Sequence, residues 1–145
     1  MTAIAFIDTN VLLYAGSNAT ADQPKRAIAR QLLSQVQPVF SAQVLQEFYS
    51  AAVTKLRLQM THDEAVAVLQ SLAAFPVCPI SRDLVMQAID CKQRFRISYW
   101  DAAIVAAARQ LGCPSIYSED LNHGQQYDGV QIINPFLSIA QMPGP

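Results

Sequence analysis

At 145 residues, 52% of them hydrophobic and 14% charged, the chain is sized and composed for one well-buried domain rather than a disordered segment. Ten basic residues against eleven acidic ones leave a net charge of −1, which excludes bulk attraction as a route to binding a polyanion. No apolar run reaches the roughly 18 residues that cross a bilayer, and the first apolar segment lacks a preceding basic region and is cut by Asp8, so neither a membrane span nor a signal peptide is expected.

Ala3-Ile4-Ala5-Phe6-Ile7 is apolar without alternation, the pattern of a strand buried on both faces inside a parallel sheet. Asp8 ends that run, and ligands of open α/β sheets bind outside the carboxyl ends of strands. A helix cap also suits the position, and this stretch alone leaves both readings open. Asn10 to Ala15 reads as a short helix closed by Gly16-Ser17-Asn18. Pro24 fits the first turn of a second helix carrying Ala27, Ile28, Leu32 and Val36, with Pro38 as its stop. Val39-Phe40 is a short strand, followed by a helix from about Gln43 to Leu58. Its apolar stripe is Leu45, Phe48, Tyr49, Ala52 and Leu56. Glu47 points away from the stripe. It reads either as a solvated first-turn acid or, lying just after a strand, as a neighbour of Asp8.

Thr61-His62-Asp63-Glu64 is a capping box, which gives Glu64 a structural task and opens a helix with Ala65, Val68, Leu69 and Leu72 inward. Pro76 to Ile80 reads as an edge strand because of its prolines. Ser81-Arg82-Asp83 caps a helix to about Arg94, with Leu84, Val85, Ala88, Ile89 and Cys91 inward. Ser98-Tyr99-Trp100-Asp101 opens the most apolar helix, Ala102 to Leu111, which Gly112 and Pro114 end. Helical projection puts Asp101 on the buried face with Ile104, Val105, Ala108 and Leu111. A carboxylate there calls for a partner or a metal, although Ser98 and Asp101 also fit a capping box. Ser115 to Ser118 is a strand ending at Glu119-Asp120, which repeats the arrangement at Asp8. A loop through Asn122-His123-Gly124 leads to a last strand, Val130 to Ile133. No linker divides the chain, so a single domain over 1–140 and a loose tail over 141–145 are expected.

Asp8, Glu47, Asp101 and Asp120 thus all follow a strand or open a helix, and a parallel sheet with right-handed crossovers collects such positions on one edge. Four gathered carboxylates repel one another unless cations lie among them. Cys78, Cys91 and Cys113 form no C-x-x-C pair, and His62 and His123 are the only histidines, so zinc is poorly served. Odd, unpaired cysteines suit reduced thiols in a cytoplasm. Hard oxygen ligands point to Mg²⁺ or Mn²⁺, and the matching chemistry is phosphoryl or phosphodiester hydrolysis. An aspartyl-phosphate phosphatase would need a second Asp where Asn10 stands, and a receiver domain would need paired acids after the first strand; neither is present.

Four stretches in order, "FIDTNVLLYA" at 6–15, "SAQVLQEFYSA" at 41–51, "ISYWDAAIVAAA" at 97–108 and "IYSEDLNHGQ" at 116–125, resemble PIN-domain ribonucleases. The resemblance is closest to the VapC-type toxins of bacterial toxin–antitoxin pairs, and it covers essentially the whole chain. It implies an α/β fold, a single Rossmann-like three-layer α/β/α sandwich with a parallel central sheet. It also implies a Mg²⁺-dependent endoribonuclease, with Asp8, Glu47, Asp101 and Asp120 at the metal site and Asn10 and Ser118 supporting them by hydrogen bonds. Asp120 is preferred over its neighbour Glu119 as the fourth acid. In the implied mechanism water attacks the scissile phosphate, oriented by Glu47 or a second metal. A homodimer, a small antitoxin that covers the active site and a cytoplasmic location follow from the same resemblance. The alternative is a catalytically silent PIN-fold module that binds RNA or protein, against which the presence of all four acids argues.

Overall fold

The computed structural model describes residues 3–137; the tail expected over 141–145 lies outside the described residues. Six strands, β1 (Ile4–Ile7), β2 (Gln37–Ser41), β3 (Val77–Cys78), β4 (Ser115–Tyr117), β5 (Gln126–Tyr127) and β6 (Val130–Ile133), form one sheet in the order β3-β2-β1-β4-β6-β5. Every pairing is parallel except β5 with β6. Among the described residues the helices are α1 (Thr9–Gly16), α2 (Gln23–Gln35), α3 (Ala42–Thr54), α4 (His62–Ser71), α5 (Arg82–Phe95) and α6 (Tyr99–Gln110). α1 packs on α2, α3 and α4, while α5 packs on α6. These two groups flank the sheet, and the α/β sandwich and parallel centre expected from the sequence are what is found.

The unbroken apolar run of β1 is explained by its central place between β2 and β4, where Ala5, Phe6 and Ile7 are all buried. They join Phe40, Ile116 and Ile132 from the neighbouring strands in one core with Val11, Leu12, Val44, Phe48 and Val105 from the helices. Register matters for the site. Ile7 stands opposite Tyr117, so Asp8 and Ser118, the next residues, emerge side by side. The strand order also reverses at β1, with β2 and β3 on one flank and β4 on the other. Such a switch point opens the crevice where ligands of these folds bind.

Several local expectations are corrected. Pro38 does not end a helix; α2 stops at Gln35, and Pro38 sits inside β2 opposite Ala5. The amides of Gln37 and Phe40 show why this works. Gln37 N–H donates toward β1, at Ala3, and Phe40 N–H donates toward the β3 side, at Pro76. Pro38 is two residues before Phe40, so its missing N–H faces the same outer side, beyond the reach of two-residue β3. α3 ends at Thr54, and a 3-10 turn over Leu56–Leu58 follows. Leu56, expected in the stripe, is 89% exposed, and Leu58 takes the core position instead. Ala27 and Ile89, expected inward, are exposed. The hairpin of β5 and β6 was not anticipated, although Asp128-Gly129 carries it with φ of 52° and 85°, the paired positive angles of a tight hairpin turn.

Other expectations hold. Thr61 and Glu64 make both bonds of the capping box, at 3.1 and 3.2 Å. Cys78, Cys91 and Cys113 are all buried and unpaired. Among the described residues no helix is long and apolar enough to cross a membrane. The contrast between two apolar side chains is testable by urea denaturation. Phe40→Ala, at a fully buried site, should lose about 3–5 kcal/mol, whereas Leu56→Ala should stay within about 0.5 kcal/mol of wild type.

Candidate active site

The crevice between β1 and β4 is built from short polar side chains that follow each strand. Asp8 is the N-cap of α1, and its Oδ1 accepts the Thr9 amide at 2.7 Å. The capping reading of Asp8 is therefore correct, and it is half of what the residue does. Its Oδ2 accepts the Ser118 hydroxyl at 2.7 Å and the Asn10 amide at 3.5 Å. The same Asn10 amide nitrogen reaches Ser118 Oγ at 3.3 Å and Asp120 Oδ2 at 3.1 Å. Asn10 Oδ1 accepts the Glu119 backbone N–H at 3.0 Å, which fixes the amide so that its donor side faces the carboxylates. Ser118 Oγ in turn accepts the backbone N–H groups of Asp120 and Leu121, at 3.1 and 3.3 Å. Asp8, Asn10, Ser118 and Asp120, expected together from the sequence, form one connected hydrogen-bond network.

Glu119 and Asp120 separate cleanly. Glu119 turns away, with its Oε2 2.5 Å from Lys25 Nζ and its Oε1 accepting Tyr14 OH at 2.9 Å. Lys25 also lies over the Tyr14 ring, 4.7 Å from its centroid. Sequence reading missed this clamp, because nothing in the pattern around Lys25 pairs it with a residue 94 positions away. Glu47 and Asp101 approach from α3 and α6. The two helices meet where Gln43 Nε2 donates to the Trp100 carbonyl at 3.3 Å. Asp101 is half-buried rather than buried. It stands in the first turn, ahead of a run from Ala102 to Ala108 that is buried throughout, so its side chain overhangs the end of the core. Ser98 Oγ caps the Asp101 amide at 3.1 Å, but the reciprocal bond of a capping box is not made, which leaves the Asp101 carboxylate uncommitted to the cap.

Electrostatics tie the acids into one unit. Burial pushes the Asp8 carboxyl up from 3.8 to about 6, against the lowering effect of the Ser118 and Thr9 hydrogen bonds, with Asp120 and Glu47 adding repulsion. Partial desolvation also raises Glu47, opposed by a Gln43 hydrogen bond and reinforced by repulsion from Asp101 and Asp120. No basic side chain offsets either shift. Lys25 is paired with Glu119 and Arg57 with Asp22; Arg94 pairs with Asp90 and Asp128. His123 accepts the Asn134 N–H and so has a structural task. A cavity of about 510 Å³ opens beside the network, walled by Asn10, Tyr14, Glu47, Ser50, Glu119 and Asp120 and continuing to Thr54, Lys55 and Arg57. Ser50 and Thr54 share the Glu47 face of α3, a spacing that sequence reading could have followed from Glu47 and did not.

Among the described residues no three acidic, histidine or cysteine side chains are arranged around one point as metal ligands would be. The donor set is nonetheless of the kind that hard divalent cations take: carboxylate oxygens without sulfur or imidazole, and a desolvated acid with no basic partner. In chelator, Asp8 has a higher pKa folded than unfolded, so its charged form disfavours the fold. That penalty is complete above its folded pKa of about 6 and vanishes below the ordinary 3.8. Acidification through this window should therefore recover about 2–3 kcal/mol of stability. Urea titrations at a series of pH values read this as the difference between wild type and Asp8→Asn; parallel profiles would show that the Asp8 carboxyl is not raised.

A family model for the PIN domain matches residues 5–128. Among solved structures, the chain is similar to Mycobacterium tuberculosis VapC20, described as a sarcin-ricin loop cleaving toxin. That match has 23% identity and a TM-score of 0.65 over 80% of this chain and 89% of the other. A toxin–antitoxin complex from Klebsiella pneumoniae matches with 21% identity and a TM-score of 0.66, over 90% and 97% of the two chains. DNA-bound VapBC from Salmonella typhimurium matches with 16% identity and a TM-score of 0.62, over 91% and 97%. Among curated proteins no significant match is found. At these identities the structural matches speak to the fold, and the family model, which spans most of the chain, speaks to descent: the protein belongs to the PIN domain family.

Proposed function

We propose that the protein is a metal-dependent endoribonuclease that hydrolyses RNA phosphodiester bonds, the toxin of a toxin–antitoxin pair. The observation that carries this reading is the Asp8–Asp120 pair, joined by the Asn10 amide at the sheet's switch point with no basic side chain to balance it. Mg²⁺, or Mn²⁺ in its place, would be held by Asp8, Asp101 and Asp120 with Glu47 nearby. When bound, such an ion polarises phosphate oxygens and lowers the pKa of water.

The chain's own residues have separate tasks in this scheme. Ser118 and Asn10 hold the Asp8 and Asp120 carboxylates in fixed orientation, which is the support that ligating groups need from their surroundings. Glu47, on the cavity wall with its carboxyl raised, is placed to orient an attacking water and accept its proton. The Lys25–Glu119–Tyr14 clamp pairs the neighbouring carboxylate with a lysine at the cavity wall, apart from the Asp8–Asp120 network. Solved relatives in complex with antitoxins support an antitoxin as partner for this chain. Ile80, Met86 and Ile89, exposed on and just before α5, support a homodimer, and three buried free cysteines support a reducing cytoplasm.

Purified protein should cleave RNA with Mg²⁺ and lose that activity in EDTA. Asn10→Ala and Ser118→Ala should each cost about 10–100-fold, and Asp8→Asn or Asp120→Asn at least as much. Mg²⁺ should also raise the melting temperature of wild type and leave that of Asp8→Asn unmoved. Cleavage in EDTA, or full activity of Asp8→Asn, would overturn the proposed site; RNA binding without cleavage would favour the silent module. Expression should arrest growth, with rescue by the adjacent open reading frame, and absence of arrest would remove the toxin role while leaving the nuclease intact.

A further inference from the structure

We propose that Lys55 and Arg57 form a phosphate-binding subsite that holds unpaired RNA beside the scissile bond, at the far end of the cavity from the acids. The proposal rests on the nuclease reading for its substrate and adds where the strand is gripped. One face of α3 supplies the wall. Glu47, Ser50, Ala51 and Thr54 line the cavity at i, i+3, i+4 and i+7, and Lys55 and Arg57 continue the lining past the helix end. From Glu47 to Thr54 the helix rises roughly 10 Å. The wall therefore starts with an acid, passes two hydroxyls and ends with two cations. At about 510 Å³ the cavity is in the range of small-molecule clefts, which suits unpaired nucleotides and not a duplex.

The backbone that carries the two cations is held in place. The 3-10 turn that carries them is anchored by Leu58, which is fully buried. Its backbone is closed by Leu58 N–H to the Lys55 carbonyl at 3.0 Å and Gln59 N–H to the Leu56 carbonyl at 3.0 Å. Asn18 pins the turn from α1's end, through its N–H to the Leu58 carbonyl at 2.9 Å and its side-chain amide to the Gln59 carbonyl at 3.0 Å. The Arg57 guanidinium is steadied by Asp22, 3.2 Å from Nη1. Asp22 is itself buried and receives the Ser17 hydroxyl at 2.6 Å. Among the described residues only Nη1 of Arg57 makes a hydrogen bond, to Asp22, and Arg57 also lines the cavity, so Nε and Nη2 have no protein acceptor. Arginine's planar fork suits phosphate oxygens, with lysine as a point charge beside it. Lys55 also lies at the C-terminus of α3, where a cation is favourable for the helix alone, so the test must read RNA rather than stability.

Binding of a labelled single-stranded oligouridylate, followed in EDTA across a range of salt, separates the cases. Each phosphate contact contributes about 0.7 to the slope of log K against log salt for single strands. Lys55→Gln should weaken binding several-fold and lower that slope by about 0.7, Lys55→Arg should restore it, and Lys55→Gln/Arg57→Gln should lower it by about 1.4. With Mg²⁺, Lys55→Gln should raise KM and spare kcat. Unchanged affinity and slope in both Gln variants would overturn the subsite, and if wild type still cleaved, the nuclease reading would stand without it. A slope that responds to Lys55 in a protein that never cleaves would keep the subsite and remove the nuclease. No binding of the oligouridylate by wild type would overturn the subsite, and the nuclease reading would then rest on cleavage with Mg²⁺ alone.

Discussion

A carboxylate withdrawn from water costs several kcal/mol unless donors or cations replace its hydration. At Asp8, which is 8% exposed, three donors do so in part: the Thr9 amide, the Ser118 hydroxyl and the Asn10 side chain. They do not offset the loss, since the carboxyl remains pushed up to about 6. A chain selected for stability alone would place an apolar residue or an amide there. Asp8 is thus left with a deficit that no lysine or arginine of the described residues fills.

Parallel pairing is what makes this arrangement possible. β1 and β4 end level with each other, so residues 8 and 118, more than a hundred positions apart, share one hydrogen bond. Ser118 then serves two purposes with a single oxygen, giving its proton to Asp8 and receiving the amides that shape the Glu119–Leu121 turn. Asn10 closes the loop between the strands by accepting from Glu119 and donating to Asp120. Two adjacent acids acquire opposite roles, because Lys25 and Tyr14 capture one and Asn10 the other.

What could be read in the sequence was local or strictly periodic. The unbroken apolar run announced a central strand, buried at Ala5, Phe6 and Ile7 although Ala3 and Ile4 at its start are exposed, and Thr61 with Glu64 announced a cap three residues apart. The failures occur where a pattern meets a tertiary boundary. Leu56 continues the α3 stripe only if the helix continues, yet Lys55 has left helical geometry with ψ near 94°, and Leu58 fills the core instead. Asp101 projects inward by angle, but angle says nothing about where the core ends along a helix axis. Pro38 reads as a breaker until the side its nitrogen faces is known. The choice between Glu119 and Asp120 depends on Lys25, whose place relative to β4 no local spacing records.

The near-zero net charge is consistent with recognition of a polyanion because the relevant fields are short-ranged. At physiological salt, charges are screened over about 8 Å, a distance shorter than the α3 wall. Each end of the cavity therefore acts on its own. The acidic end would repel a phosphate unless a divalent ion reversed its sign, while the basic end, with Lys55 and the Asp22-paired Arg57, would attract one without it. Under the proposed function, a strand entering the cavity would meet attraction first at Lys55 and Arg57 and become tolerable at the acids only with the ion in place. The order of these two terms along one helix face would make strand capture independent of the metal and strand cleavage dependent on it.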